Sequence, residues 1–114
     1  VMATRRALDA YFAGQLDAPD TLAVHWTGTA FQQRCWTALR AIAPGMPVSY
    51  ARQAQAIGQP TAARAVGRAN AMNPVAIVVP CHRVIGSDAG LIGYAGGIER
   101  KRWLLDFEGG ARNA

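Results

Sequence analysis

Two helical stretches separated by a glycine turn constrain this chain most. SYARQAQAIG, residues 49 to 58, starts on a serine able to cap a helix and stops at Gly58. QPTAARAVGRANA comes next, with Pro60 and Thr61 announcing a second helix. Helix, tight turn and helix predict a helix-turn-helix unit. The second helix is unusual in composition, because Ala62, Ala63, Ala65 and Gly67 surround Arg64. So bare a surface can pack tightly on a neighbouring helix, or approach a wall of sugar and phosphate with Arg64 and Arg68 beside it.

The flanking segments predict further helices. In TRRALDAYFAG, Ala7, Leu8, Tyr11 and Phe12 share a stripe that stops at Gly14, and residues 15 to 28 read as a connector. Thr29 and Gln32 form a capping box ahead of FQQRCWTALRAI. Phe31, Cys35, Leu39 and Ile42 fall on one face there, which makes Cys35 a small core residue. IERKRWLLDFEGG predicts a last helix with Ile98, Leu104, Leu105 and Phe107 on its apolar side, ending at Gly109. Only VAIVV, residues 75 to 79, reads as a buried strand, closed by Pro80. The fold class expected is mainly α: a winged helix-turn-helix-like domain with one short buried strand leading to Cys81.

The residues just after that strand carry chemistry. Cys81, His82 and Arg83 leave the apolar run one after another. A thiol becomes a nucleophile as the thiolate, which needs a cation, a base or a helix amino end nearby. His82 is a candidate base, and Glu108 can hold an imidazole in one tautomer. Spacing cannot place Glu108 beside His82, since they lie far apart in sequence.

Composition narrows the classes. The 114 residues suit one domain, and no apolar run approaches the roughly 18 to 20 residues of a membrane span. With no signal-peptide pattern, the expectation is a soluble, cytoplasmic chain, and the opening Val1 is compatible with a piece of something longer. The net charge is +5, and Lys101 is the only lysine among twelve cationic residues. Arginine's planar fork suits phosphates and base edges, so the balance is compatible with nucleic acid without establishing it. Two cysteines without secretory context read as free thiols. Cys35, Cys81, His25 and His82 lack the spacing of a zinc site, and neither metal nor cofactor is expected.

PCHRVIG, then GYAGG, then KRWLLDFEG resembles the active-site block of the O6-alkylguanine-DNA alkyltransferases, also called methylated-DNA–protein-cysteine methyltransferases. GTAFQQRCWTALRAIAPG, VSYARQAQAIG and TAARAVGRANAMNP resemble the preceding blocks in the same order, so the likeness runs from about Arg5 to Gly109. The resemblance implies direct, single-turnover transfer of an alkyl group from O6 of a flipped guanine, or O4 of thymine, to Cys81. The partner implied is double-stranded DNA carrying that lesion, met by a monomer.

The same resemblance assigns roles. The second helix would enter the minor groove, with Ala62, Ala63, Ala65 and Gly67 allowing close approach and Arg64 replacing the rotated base. Ser87 would join this DNA-binding set. Tyr50 would crowd the target phosphate and face guanine N3, while the Ala95 N–H faces O6. The carbonyls of Cys81 and Val84 would accept from the exocyclic amine, and Tyr94 would wall the pocket. His82 would deprotonate the thiol through a water, with Glu108 orienting it. Asn73 would brace the turn before the strand. Residues 1–28 are expected to be a terminal helix and linker left from a missing amino-terminal domain, and residues 29–114 the DNA-binding and alkyl-acceptor domain. Two other readings stand beside this one: an alkyltransferase-like damage sensor that binds without transfer, against which Cys81 argues, and a Cys-His-Glu hydrolase.

Overall fold

A computed structural model describes residues 2–24, 26–86 and 97–113, with side chains through Gly109. Helix α1, Met2–Phe12, buries Ala7 and Tyr11 and leaves Phe12 exposed. Gly14, at φ +108°, then reverses the chain in a conformation few other residues adopt. The connector is not featureless: Ala18–Thr21 forms a 3₁₀ turn whose buried Pro19 offers its carbonyl to Arg40 at 2.9 Å.

Helix α2, Ala30–Arg40, starts on the expected capping box. The Thr29 hydroxyl accepts from the Gln32 backbone at 3.0 Å, and the Gln32 side chain accepts from Thr29 N–H at 3.0 Å. Cys35, Trp36 and Leu39 are buried, with Phe31 and Ile42 packed partly against them. Cys35 is thus the core residue its helical face predicts. The Trp36 indole donates to the Ala69 carbonyl at 2.9 Å, which pins α2 to the helix-turn-helix.

That unit consists of α3, Tyr50–Ala56, and α4, Ala63–Ala71. Ser49 caps α3 through a 3.0 Å bond from Arg52 N–H, and Gly58 closes it at φ +77°. Helix α4 starts later than Pro60 and Thr61 imply, with Ala62 at the cap position supplying no side-chain acceptor. Its inner stripe is Val66, Ala69 and Asn70; Arg64 and Arg68 face outward. A closed pair of amides fixes the two helices together. Gln53 donates to Asn70 at 3.1 Å and to the Cys35 carbonyl at 3.1 Å, and Asn70 returns a 2.8 Å bond. All three partners lie in the core, so each polar atom is satisfied where water does not reach.

The strands differ from expectation. VAIVV is not a strand. Asn73 closes it into a compact loop, accepting from Val75 N–H at 2.9 Å and donating to the Val79 carbonyl at 2.7 Å. Its backbone pairs within itself: Val78 N–H reaches Ala76 and Val79 N–H reaches Val75, both at 2.9 Å. Ile77, at φ +72°, occupies the centre of a strained γ-turn. Branched residues that favour a strand here give way to an asparagine able to bond both ends of the loop.

Among the described residues the strands are β1, Val48–Ser49, and β2, Val84–Ile85, paired in parallel with Val48 opposite Val84 and Ser49 opposite Ile85. The order is therefore reversed: Cys81 precedes the strand beside it instead of coming after one. Helix α5, Ile98–Asn113, continues past Gly109. Through Gly109 its buried positions are Lys101, Leu104 and Glu108, while Ile98 is exposed, so the inner stripe carries two charged residues. Among the described residues, no helix is long and apolar enough to cross a membrane.

Candidate active site

The parallel pair brings two distant parts of the chain together. β1 hands directly into Tyr50 at the head of α3, and β2 is preceded directly by the turn Cys81–Arg83. An inverse γ-turn at Pro80, with φ −83° and ψ 68° and a 2.9 Å bond from Cys81 N–H to the Val79 carbonyl, aims the chain into that turn. Cys81 sits at the edge of the core, 8% exposed. Burial pushes its thiol above the ordinary value, against the opposing pull of an Asn73 side-chain hydrogen bond and the Lys101 charge. Burial wins, so the resting group is a thiol. It needs a base at the moment of reaction.

His82 and Glu108, which the sequence could not place together, meet. His82 Nε2 lies 2.6 Å from Glu108 Oε2, and both side chains are fully buried. Burial alone would raise the Glu108 pKa. Hydrogen bonds from His82 and Arg83, the His82 charge and a bond from Tyr11 outweigh it and hold the carboxyl at about 2. A carboxylate this firmly ionised takes no proton from His82. A singly protonated ring therefore carries its proton on Nε2, towards the carboxylate, which leaves Nδ1 as the acceptor nitrogen. Nδ1 is buried and has no hydrogen-bond partner among the described residues.

Arg83, next along the turn, is buried too. Its Nε and Nη2 fork onto Glu108 at 2.9 Å each, and Nη1 donates to the Ile42 carbonyl at 2.8 Å. It serves the carboxylate, not a surface. Two residues to which sequence reasoning gave no role also belong here. Tyr11 donates to Glu108 Oε2 at 2.7 Å from α1. Lys101 is fully buried, its Nζ 3.5 Å from the Tyr50 hydroxyl and 5.6 Å from that ring's centre. Burial lowers the Lys101 pKa, and the neighbouring Cys81 opposes the change. The Tyr50 hydroxyl is pushed up by burial and then by Cys81. The one signal for Lys101 was that it is the chain's single lysine. Tyr11 gave none beyond a core position.

The remaining expected residues divide clearly. Gly67 lies under Tyr50, where a Cβ would stand 3.7 Å from the ring. Ala62, Ala63 and Ala65 are half-buried along α4, and Arg64 is exposed beside them. Val84 is buried in β2 against Val48, and Asn73 lies between the γ-turn loop and Cys81. Ser87, Tyr94 and Ala95 lie outside the described residues.

A model of the 6-O-methylguanine DNA methyltransferase DNA-binding domain matches residues 30–110. The chain belongs to this family. A methylated-DNA–protein-cysteine methyltransferase of Salmonella typhimurium is 57% identical over 99 residues, which cover 87% of this chain and 58% of that protein. A protein of the same name from Mycobacterium leprae is 54% identical over 101 residues, covering 89% and 61%. The chain thus spans about three fifths of these relatives. A crystal structure of Mycobacterium tuberculosis OGT in complex with DNA superposes with a TM-score of 0.84 at 49% identity, over 96% of this chain and 68% of that one. As a family member, the chain keeps the helical architecture with short strands, and its Cys81 is present.

Proposed function

We propose that this protein repairs DNA by direct, irreversible transfer of a methyl group from O6 of guanine, or from O4 of thymine, to Cys81. The observation carrying the reading is a buried thiol next to a histidine whose free ring nitrogen is set by an ionised glutamate 2.6 Å away. The names of the relatives and the DNA in the Mycobacterium tuberculosis complex support it.

In this reading α4 enters the minor groove, where Ala62, Ala63, Ala65 and Gly67 permit close approach. Arg64 fills the stack vacated by the lesion, which offsets part of the few kcal/mol that extrusion costs. Ser87 belongs to the same DNA-binding set. The flipped base rests between Tyr50 and the segment holding Tyr94 and Ala95, with the carbonyls of Cys81 and Val84 reading its amine. His82 Nδ1 takes the thiol proton through a water. Sulfur then forms a bond to the methyl carbon as the carbon–oxygen bond breaks. The guanine leaves as its anion, stabilised at N3 by the Tyr50 hydroxyl and at O6 by the Ala95 N–H. Asn73 holds the loop that presents sulfur, and Lys101 orients Tyr50 from behind.

The product thioether has no route back, so each molecule reacts once, as a monomer, in the cytoplasm. Residues 1–28 are read as the end of a preceding domain and residues 29–114 as the acceptor domain. Intact-mass spectrometry after incubation with a methylated duplex tests the whole scheme. One added methyl on the Cys81 peptide is the expected result; continued turnover would point to a hydrolase, and tight binding with no mass change to a damage sensor.

A further inference from the structure

Glu108 Oε2 receives donors from three residues. His82 and Arg83 belong to the turn that carries Cys81. Tyr11 does not: it comes from α1, outside the residues 30–110 that the family model matches. Its side chain is fully buried, its ring packs against Phe12 edge-on at 5.0 Å and against Phe107 at 5.5 Å, and its hydroxyl lies 2.7 Å from the carboxylate. Packing alone would be served by phenylalanine. A buried hydroxyl bonded to the oxygen that also meets the imidazole has a further consequence.

We propose that Tyr11 is a positioning residue for the thiol's base, so that the working alkyl-transfer unit extends into α1. This rests on the transfer reading above. Oε1 accepts from Arg83 Nε, and Oε2 accepts from Arg83 Nη2, His82 Nε2 and Tyr11. Arg83 fixes the carboxylate plane. The tyrosine closes the remaining side of Oε2, so the oxygen has one direction left for the imidazole, and His82 is held with Nδ1 turned to its acceptor role. The charged or titratable groups facing Glu108 among the described residues are Tyr11 from α1 and His82 and Arg83 from the cysteine turn. No bond is made or broken at Tyr11; the proton that moves goes from sulfur through the water to Nδ1, while the Nε2 proton stays on the imidazole and donates to Glu108.

The test is Tyr11→Phe in the full chain, which keeps the ring contacts and deletes the hydroxyl. Single-turnover transfer from a methylated duplex is followed across pH. The rate should fall about tenfold, as loss of one hydrogen bond to a charged group implies. The pH profile should change with it, because the Tyr11 bond is one of those that hold Glu108 ionised. In a Glu108→Gln background the same change should cost little, since the hydroxyl acts through the carboxylate. A folded Tyr11→Phe protein with unchanged rate and pH profile overturns the proposal while leaving methyl transfer intact. Unmodified protein that transfers no methyl overturns the underlying reading instead. Should Tyr11→Phe not fold, NMR of the unmodified protein decides. A slowly exchanging Tyr11 hydroxyl proton and a hydrogen-bonded His82 Nε2–H are expected, and absence of the hydroxyl signal refutes the assignment.

Discussion

Replacing Glu108 by glutamine should show how much of the fold depends on one carboxylate. In the native protein Glu108 is fully buried and accepts from Tyr11, His82 and both forks of Arg83 at 2.6 to 2.9 Å. Glutamine offers a single oxygen and aims an amide at one of those donors. The Arg83 guanidinium, 3% exposed, is left without its counter-charge. Breaking a buried pair in this way costs about 3 to 5 kcal/mol, a large part of the roughly 5 to 15 kcal/mol that stabilises a domain. The pH dependence provides the sharper signature. The folded-state pKa of Glu108 is lowered from 4.5 to about 2. At about 1.4 kcal/mol per pH unit this lowering corresponds to about 3 kcal/mol. A depressed carboxylate contributes that stability above its unfolded value and loses it as pH falls from 4.5 towards 2. Urea unfolding at a series of pH values should therefore find Glu108→Gln weaker at pH 7, with the gap to the native protein narrowing by about 3 kcal/mol across the window. Two parallel curves would show that Glu108 carries no such charge linkage, and the tautomer argument for His82 would go with it.

Cys81→Ala should abolish mass gain from a methylated duplex and retain DNA affinity in a gel-shift titration, since the sulfur makes no phosphate contact in the proposed complex. Arg64→Ala should slow repair in duplex DNA at least about tenfold, while transfer from a free modified guanine base changes little, because only the duplex has a stack to refill. Equal losses in the two assays would remove Arg64 from that role. Trp36→Phe leaves the Ala69 carbonyl without its indole donor and should cost about 2 kcal/mol. The thermal midpoint should drop by about 10 °C.

Four helix ends were legible because their signals are local, whereas the start of α4 and the end of α5 were not. The Thr29–Gln32 box, the Ser49 cap and the turns at Gly14 and Gly58 depend on near neighbours in the chain, and each stands where the pattern puts it. Hydrophobic stripes were legible in α2, where a core position needs only an apolar side chain. They failed in α5, because Lys101 and Glu108 look like solvent-facing residues until Tyr50, His82, Arg83 and Tyr11 arrive to satisfy them. The strand at VAIVV failed for a related reason. Its branched residues favour extension, but Asn73 holds the loop by two side-chain bonds that propensity does not register.

By itself, then, the sequence determined which segments are helical, where the helix-turn-helix lies, and that a cysteine with a histidine beside it leaves an apolar run. Spacing left the His82–Glu108 pair open and the family resemblance supplied it; tertiary structure alone decided that Tyr50 would meet Lys101 and that Glu108 would also bind Arg83 and Tyr11, across separations of up to 97 residues. The division is physical. Local hydrogen bonds and periodicity are written in adjacent residues, whereas the partner of a buried charge is chosen only when the whole chain has closed around it.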